Sequence, residues 1–385
     1  MATFGVGLDI GTTTVQAQLV DLAAGEILEA VSFLNEQRRF GADVMSRINA
    51  ARNGKTGELF TVINRQIEDI LRQFIRKWNL GGIEKCAVSG NTTMLHLFAG
   101  VDPSSMGEAP FTPVFLEERH FSGRELSLSA EQVTLMPGIS AFVGADVVCG
   151  LAFLDIINKR ENFLFVDIGT NGEIAVWESS VSRGDAPRAG RLLCCSTAAG
   201  PCFEGADISC DMTASEFINA IAKMKKLGVI GETGALANEY AHNGFPVTEK
   251  DFITQKDVRQ FQLAKSAIFS GIKVLCKTTG IKLSGCPAYI AGDLGFFINL
   301  ENAAEVGLLP KEFADGFAER AGKADDSAGK GKTTVCGNTS LKGAAKSLTD
   351  AAFLPRCREI AALGTVIDLA VDRDFAEEFT ENMRM

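Results

Sequence analysis

The stretch Asp9-Ile10-Gly11-Thr12-Thr13-Thr14-Val15 has a close copy later in the chain, Asp167-Ile168-Gly169-Thr170-Asn171-Gly172-Glu173. Each copy follows an apolar run, Phe4 to Leu8 or Phe163 to Val166, and precedes a second strand-like run, Val15 to Leu19 or Ile174 to Trp177. The pattern predicts two hairpins with Asp-x-Gly-Thr at the turn, one in each of two related halves. Glycine lets backbone N–H groups approach a ligand, threonine hydroxyls add donors, and an Asp at a strand end can hold a hydrated divalent cation. Two such hairpins facing each other would clamp a magnesium-nucleotide polyphosphate.

Bulk properties narrow the class. A chain of 385 residues has room for two or three domains with real cores. A net charge of -10 argues against a general nucleic-acid surface, which needs clustered Lys and Arg. The chain shows no signal-peptide pattern and no apolar run near the roughly 20 residues of a membrane span. The ten cysteines are scattered and none falls in Cys-x-x-Cys, so we expect reduced thiols in the cytoplasm. Cys194, Cys195, Cys202 and Cys210 form the tightest group, but their spacing matches no zinc or ferredoxin pattern, and whether they converge is open.

Along the chain, Phe4 to Asp9, Val15 to Asp21 and Ile27 to Phe33 predict a three-stranded meander of the kind that opens a ribonuclease-H-like half. Helices are expected at Ala42 to Ala51 and Glu58 to Trp78. A short strand, Lys85 to Ser89, leads into Ser89-Gly90-Asn91-Thr92-Thr93-Met94, a polar turn that reads equally as an anion site or a helix N-cap. Residues 101–138 carry Pro103, Pro110, Pro113 and Pro137 and read as a surface insertion, with short strands around Leu126 and Val133 to Met136. His96 and His120 read as structural. Asp146 opens a helix running through Ile157.

After the second hairpin, Leu192 to Ser196 is a strand feeding a loop of small residues around Gly200. A long helix, Lys256 to Thr279, follows a capping-box-like Thr254 and Asp257. The strand Pro287 to Ala291 ends at Gly292-Asp293-Leu294-Gly295. A helix at Ala344 to Ala352, a strand at Val366 to Ala370 and a helix at Phe375 to Met383 close the chain. We therefore expect an α/β protein of two ribonuclease-H-like halves, 1–141 with the insertion 101–138, and 142–385, with packing of the C-terminal elements back on the first half left open.

The order of these features, phosphate hairpin, helix opening at Asp146, second hairpin and Gly292 turn, resembles the acetate and sugar kinase, heat-shock chaperone and actin superfamily. The strings Gly7 to Thr14, Ser89 to Met94, Pro110-Phe-Thr-Pro113, Gly144-Ala-Asp146, Asp167 to Glu173, Ala199 to Gly205 and Gly337-Asn338 narrow the resemblance. They are similar to the C-terminal ATPase domain of reductive activators of corrinoid-dependent enzymes. That family uses ATP to help return inactive cob(II)alamin to cob(I)alamin.

The resemblance implies that Asp9 and Asp167 coordinate hydrated Mg²⁺. It implies that Gly11, Thr12, Thr13, Gly169, Thr170 and Asn171 hold the phosphates, that Thr14 and Gly200 also bind the cofactor, and that Gly292, Asp293 and Gly295 lie at the adenosine. Asp146 takes the place of the group that orients the attacking water. ATP and Mg²⁺ are the implied cofactors. The implied partners are a corrinoid protein or a corrinoid-dependent methyltransferase; a homodimer stays open. Two departures stand out. Family members carry an N-terminal [2Fe-2S] domain held by closely spaced cysteines, whereas this chain begins at the ATPase domain, so no iron-sulfur cluster is expected, and either electrons come from a separate donor protein or this chain does no redox work. The family's adenosine turn reads Ala-Gly-Gly-Phe-Gly, and here Asp293 replaces a glycine. Two other readings stay on the table: a small-molecule kinase of the same superfamily with Asp146 as base, and a non-catalytic binding module with a degenerate adenosine site.

Overall fold

The computed structural model describes residues 3–169, 171–179, 190–198, 202, 212–248, 250–292, 298–315 and 333–385. The chain forms two compact units, one of Met1–Asn158 with Asn338–Gly364, the other of Lys159–Gly337 with Thr365–Met385.

The first unit is built on a six-stranded sheet of order β3-β2-β1-β4-β6-β5. Its strands are β1 (Phe4–Ile10), β2 (Thr14–Asp21), β3 (Glu26–Leu34), β4 (Ile83–Gly90), β5 (Arg119–Ser122) and β6 (Ala130–Leu135). The meander β1-β2-β3 is antiparallel, and β4 joins β1 in parallel with Asp9 opposite Ser89. Helices α1 (Val44–Ala50), α2 (Thr56–Trp78), α3 (Thr92–Phe98), α4 (Gly123–Leu126) and α5 (Ala145–Phe153) belong to this unit, as do the helices Thr339–Ser347 and Phe353–Leu363. Leu59, Ile63, Ile67, Ile70, Leu71 and Phe74 recur at helical spacing on α2 and are all buried. The helix Thr339–Ser347 lies so close to β1 that a Cβ on Gly7 would sit 2.6 Å from the Ala345 nitrogen.

Several expectations are corrected here. Residues 101–138 are not a surface insertion, because β6 pairs in parallel with β4 and carries β5 beyond it as the edge of the central sheet. Leu126 lies in α4, not a strand; the Ser122 and Glu125 capping box starts a helical turn that the prolines around it obscured. The compact units divide after Asn158, and α5 packs with the first unit, so 142–158 does not begin the second half. Helix α5 also stops before Ile157, since Asp155 takes a left-handed conformation with φ 54°. Near the C-terminus, Asn338 caps the helix five residues earlier than the apolar pattern suggested, and Pro355 sits in the first turn of the next helix, where proline is tolerated.

His96 is fully buried on α3 and has both ring nitrogens engaged. Nδ1 lies 2.7 Å from Thr92 O, to which it donates, and Nε2 accepts from Val114 N at 3.1 Å. The ring stacks on Phe115 at 4.1 Å. Burial holds its pKa below the usual value near 6.5, so the neutral ring is the folded form. The unfolded chain thus binds the proton more readily, and the stability from His96 is intact above about pH 6.5 and lost as pH falls below it. We expect His96→Gln to cost about 1–3 kcal/mol at pH 7.5, with the gap to wild type narrowing toward pH 5 in thermal melts. A gap that does not change with pH would refute this account of His96.

The second unit has a six-stranded sheet of order β13-β12-β7-β8-β9-β14, which repeats five strands of the first plan and places its sixth strand at the other end. Its strands are β7 (Phe163–Ile168), β8 (Gly172–Glu178), β9 (Arg191–Thr197), β12 (Ala288–Ala291), β13 (Thr333–Gly337) and β14 (Gly364–Val366). A small separate hairpin pairs β10 (Phe245–Pro246) with β11 (Phe252–Ile253). As in the first unit, an antiparallel meander is followed by parallel strands, β12 on β7 and β13 on β12. Helices α6 (Ala214–Lys226) and α7 (Gln255–Thr279) supply much of the core. The Thr254 and Asp257 capping box begins α7, and its Val258, Phe261, Ala264, Ile268, Ile272 and Leu275 pack under the sheet. The closing strand is β14, ahead of the Val366 to Ala370 expected; Ile367 N still donates to Cys194 O at 2.8 Å. The five strands common to the two sheets, a meander followed by two parallel strands, make the ribonuclease-H-like pair expected from the repeated hairpin.

Candidate functional site

In the first unit the hairpin turn closes between Gly11 N and Thr14 O at 2.9 Å. Asp9, at the end of β1, is held by two donors: Asn338 Nδ2 gives to its Oδ2 at 2.7 Å and Ser340 Oγ to its Oδ1 at 2.8 Å. Ser340 Oγ also lies 2.8 Å from Ser89 Oγ. With its single hydrogen given to Asp9, Ser340 accepts from Ser89. Asn338 meanwhile caps the following helix, its Oδ1 accepting from Leu341 N at 2.8 Å. A helix N-terminus is thus tied to the carboxylate by the same amide.

The Ser89 to Met94 turn combines the two roles that its sequence left open. Asn91 Oδ1 accepts from Met94 N at 3.0 Å, capping α3, while its Nδ2 donates to Thr12 Oγ1 at 3.1 Å. The start of α5 packs against this turn; a Cβ on Gly144 would lie 2.7 Å from both Asn91 Cα and Thr92 N. Thr92 Oγ1 donates to Ser140 O at 2.6 Å, joining the loop before α5 to the same place. Asp9, Thr12, Asn91 and Asp146 are therefore neighbours although they come from three separate stretches.

Asp146 is half-buried in the first turn of α5, where its Oδ1 accepts from Val147 N at 2.8 Å. Its pKa is pushed up to about 7, chiefly by desolvation and further by the charge of Asp9, against the pull of the Val147 N–H. Two carboxylates within electrostatic reach of each other suit a divalent cation, and one that takes a proton near neutrality suits the orientation or activation of a water.

In the second unit Gly169 N donates to Asn171 O at 2.9 Å, closing the hairpin after Asp167. Gly292 follows β12 with φ 88° and lies against the Asp167 carboxylate; a Cβ there would sit 2.5 Å from both Asp167 Oδ1 and Ile168 O. Its N–H donates to Gly337 O at 3.2 Å. The sites expected at Thr170, Gly200, Asp293 and Gly295 lie outside the described residues. So does Cys210. Cys194 and Cys195 are successive residues of β9, so their side chains face opposite sides of the sheet, and Cys195 packs in the core with Cys202. Among the described residues no group of three or more His, Cys, Asp or Glu side chains could hold a metal ion. No described helix is long and apolar enough to cross a membrane.

Sequence reasoning missed Ser340 and left Asn338 without a role. The signal was an Asn followed by Thr-Ser at the end of a strand, an N-cap pattern that a turn-by-turn search for caps would have found.

Comparison with known proteins agrees with this layout. Residues 4–159 match the RACo middle region, and 161–226 with 212–385 match the C-terminal domain of RACo, the ASKHA domain. The chain is 31% identical to the corrinoid activation enzyme RamQ of Eubacterium limosum, over 98% of its own length and 70% of the relative's. It is 26% identical to the [Co(II) methylated amine-specific corrinoid protein] reductase of Methanosarcina barkeri, over 93% and 72%. A solved reductive activator for a corrinoid, iron-sulfur protein superposes with a TM-score of 0.82 at 28% identity, covering all of this chain and 66% of the other. The chain therefore spans about two thirds of the length of these relatives. It belongs to the RACo family of reductive activators of corrinoid proteins, through the middle region and ASKHA domain of that family.

Proposed function

We propose that this chain is an ATP-dependent activator of a corrinoid protein, with ATP and Mg²⁺ as its cofactors and electrons supplied by a separate donor protein. The observation that carries the nucleotide half is the Asp9 carboxylate, fixed by Asn338 and Ser340 beside the hairpin turn and Asp146. These residues fit a hydrated divalent cation: oxygen ligands are the right chemistry, and a carboxylate held by two donors keeps its orientation. Asp167, with no room for a side chain at Gly292 beside it, is the matching carboxylate of the second unit. Bound magnesium would neutralise charge on the phosphates.

The chain's own residues do the rest. The turns at Gly11 to Thr14 and Gly169 to Asn171 bind phosphate oxygens through N–H and hydroxyl donors. Asp146 orients the attacking water and takes its proton. Likeness to relatives named for corrinoid activation supports the partner half.

Titrating the protein with Mg-ATP in a thermal-shift assay tests the nucleotide half, since ligand at about 100 times its Kd stabilises by about 2.7 kcal/mol. Adding a corrinoid protein and an electron donor, and following Co(I) by absorbance, tests the partner half. Phosphorylation of a metabolite with no protein partner present would instead support a kinase. We expect Asp146→Asn to lower ATP hydrolysis by about 10²- to 10⁴-fold while Mg-ATP still stabilises the protein; hydrolysis at the wild-type rate would remove Asp146 from this role.

A further inference from the structure

The carbonyl groups of the first hairpin turn are gripped from the protein interior. Asn35 Nδ2 donates to Gly11 O at 2.8 Å, and the Asn35 backbone N–H donates to Thr13 O at 2.8 Å. Between them, Arg47 Nη2 on α1 donates to Thr12 O. Asn35 and Arg47 are both fully buried, and both rest on the Met94 sulfur, at 3.8 Å and 3.0 Å. Arg47 is anchored at its other edge, where Nε donates to Gly41 O at 3.1 Å.

A trans peptide points its N–H opposite to its C=O. Holding the carbonyls of Gly11 and Thr12 on the buried side around Met94 therefore turns the N–H groups of Thr12 and Thr13 the other way. We infer that Arg47 is a positioning residue that presets these amides for a polyphosphate, an inference that rests on the Mg-ATP reading above. Its planar fork grips Gly41 O and Thr12 O in two directions at once, which one ammonium on a flexible stem does not do. Donors already aimed before binding need no reordering when the ligand arrives, and that is where the affinity comes from. Asn35 acts in the same brace from β3's end, so the turn is set by residues outside the Asp-Ile-Gly-Thr stretch itself.

The test compares wild type with Arg47→Met, Arg47→Lys and Asn35→Asp. The last keeps an acceptor for the Gln37 N–H, now made by Asn35 Oδ1 at 2.9 Å, but cannot donate to Gly11 O. Mg-ATP affinity is measured by calorimetry. Amide exchange is measured without ligand in peptides spanning residues 10–15 and, as a reference, α2. We expect Kd to rise roughly 10- to 100-fold in Arg47→Met and Asn35→Asp and less in Arg47→Lys. Exchange in the turn should quicken by about tenfold or more with α2 unchanged. Variants that bind like wild type with unchanged exchange overturn the role of Arg47, as does exchange that quickens equally in α2, which marks Arg47 as a stability residue only. A wild type with no affinity for Mg-ATP overturns the ATP reading itself and the role of Arg47 with it, and the wild-type control tells that case apart.

Discussion

Asp9→Asn is expected to lower Mg-dependent ATP turnover by more than about a hundredfold, beyond the 10- to 100-fold typical of losing a group that supports a metal ligand. Both Asp9 oxygens accept, one from Asn338 Nδ2 and one from Ser340 Oγ. An amide in the same place must turn its NH₂ toward Ser340, whose hydroxyl then has to reverse and donate to Ser89, and the charge that attracts the cation is gone. Ser340→Ala keeps the charge and removes one restraint, so it belongs inside the 10- to 100-fold range, read as a higher Mg²⁺ requirement. Steady-state hydrolysis against Mg²⁺ concentration separates the two variants. Asp9→Asn turning over at the wild-type rate would exclude Asp9 as a cation ligand.

Gly292→Ala should damage the second unit through its backbone. The position has φ 88°, which costs an alanine about 1–3 kcal/mol in strain. The new Cβ would also meet Asp167 Oδ1 and Ile168 O at 2.5 Å, and relieving that contact means moving the carboxylate or the end of β7. Gly280→Ala is the control, since its φ of 71° is similar but a Cβ there meets nothing within 4 Å. We expect melts in which Gly292→Ala loses clearly more stability than Gly280→Ala and also loses its response to Mg-ATP. Equal melting points with an intact Mg-ATP response would show that the turn has room to give and that Asp167 does not depend on it.

Much of this was written in local patterns. Both hairpins are apolar runs broken by Asp-x-Gly-Thr, and α2 and α7 declare themselves by helical spacing, so β1, β2, β7, β8 and both long helices could be read directly. What could not be read is what depends on distant pairing. β6 is an ordinary short strand in a proline-rich stretch, and only its parallel pairing with β4 makes it part of the sheet. Parallel partners carry no turn signal between them. The hold of Ser340 and Asn338 on Asp9 spans more than three hundred residues, and no spacing rule reaches that far. Arg47 looked like one more helix residue, because nothing in a sequence marks an arginine whose partners are carbonyls.

The discontinuity of the first unit has a consequence for biosynthesis. Residues 1–158 leave the ribosome before Lys159–Gly337, and the segment Asn338–Gly364 that completes their unit follows only after that. At ~5–20 residues per second that interval is on the order of 10 to 40 s. Throughout it, β1 lacks the helix that presses on Gly5 and Gly7, α5 lacks the one that packs at Cys149, and Asp9 lacks both donors. The nascent chain thus presents an uncovered apolar sheet face until that segment arrives, a state in which a chaperone can protect it and in which an early stop codon yields a sticky fragment.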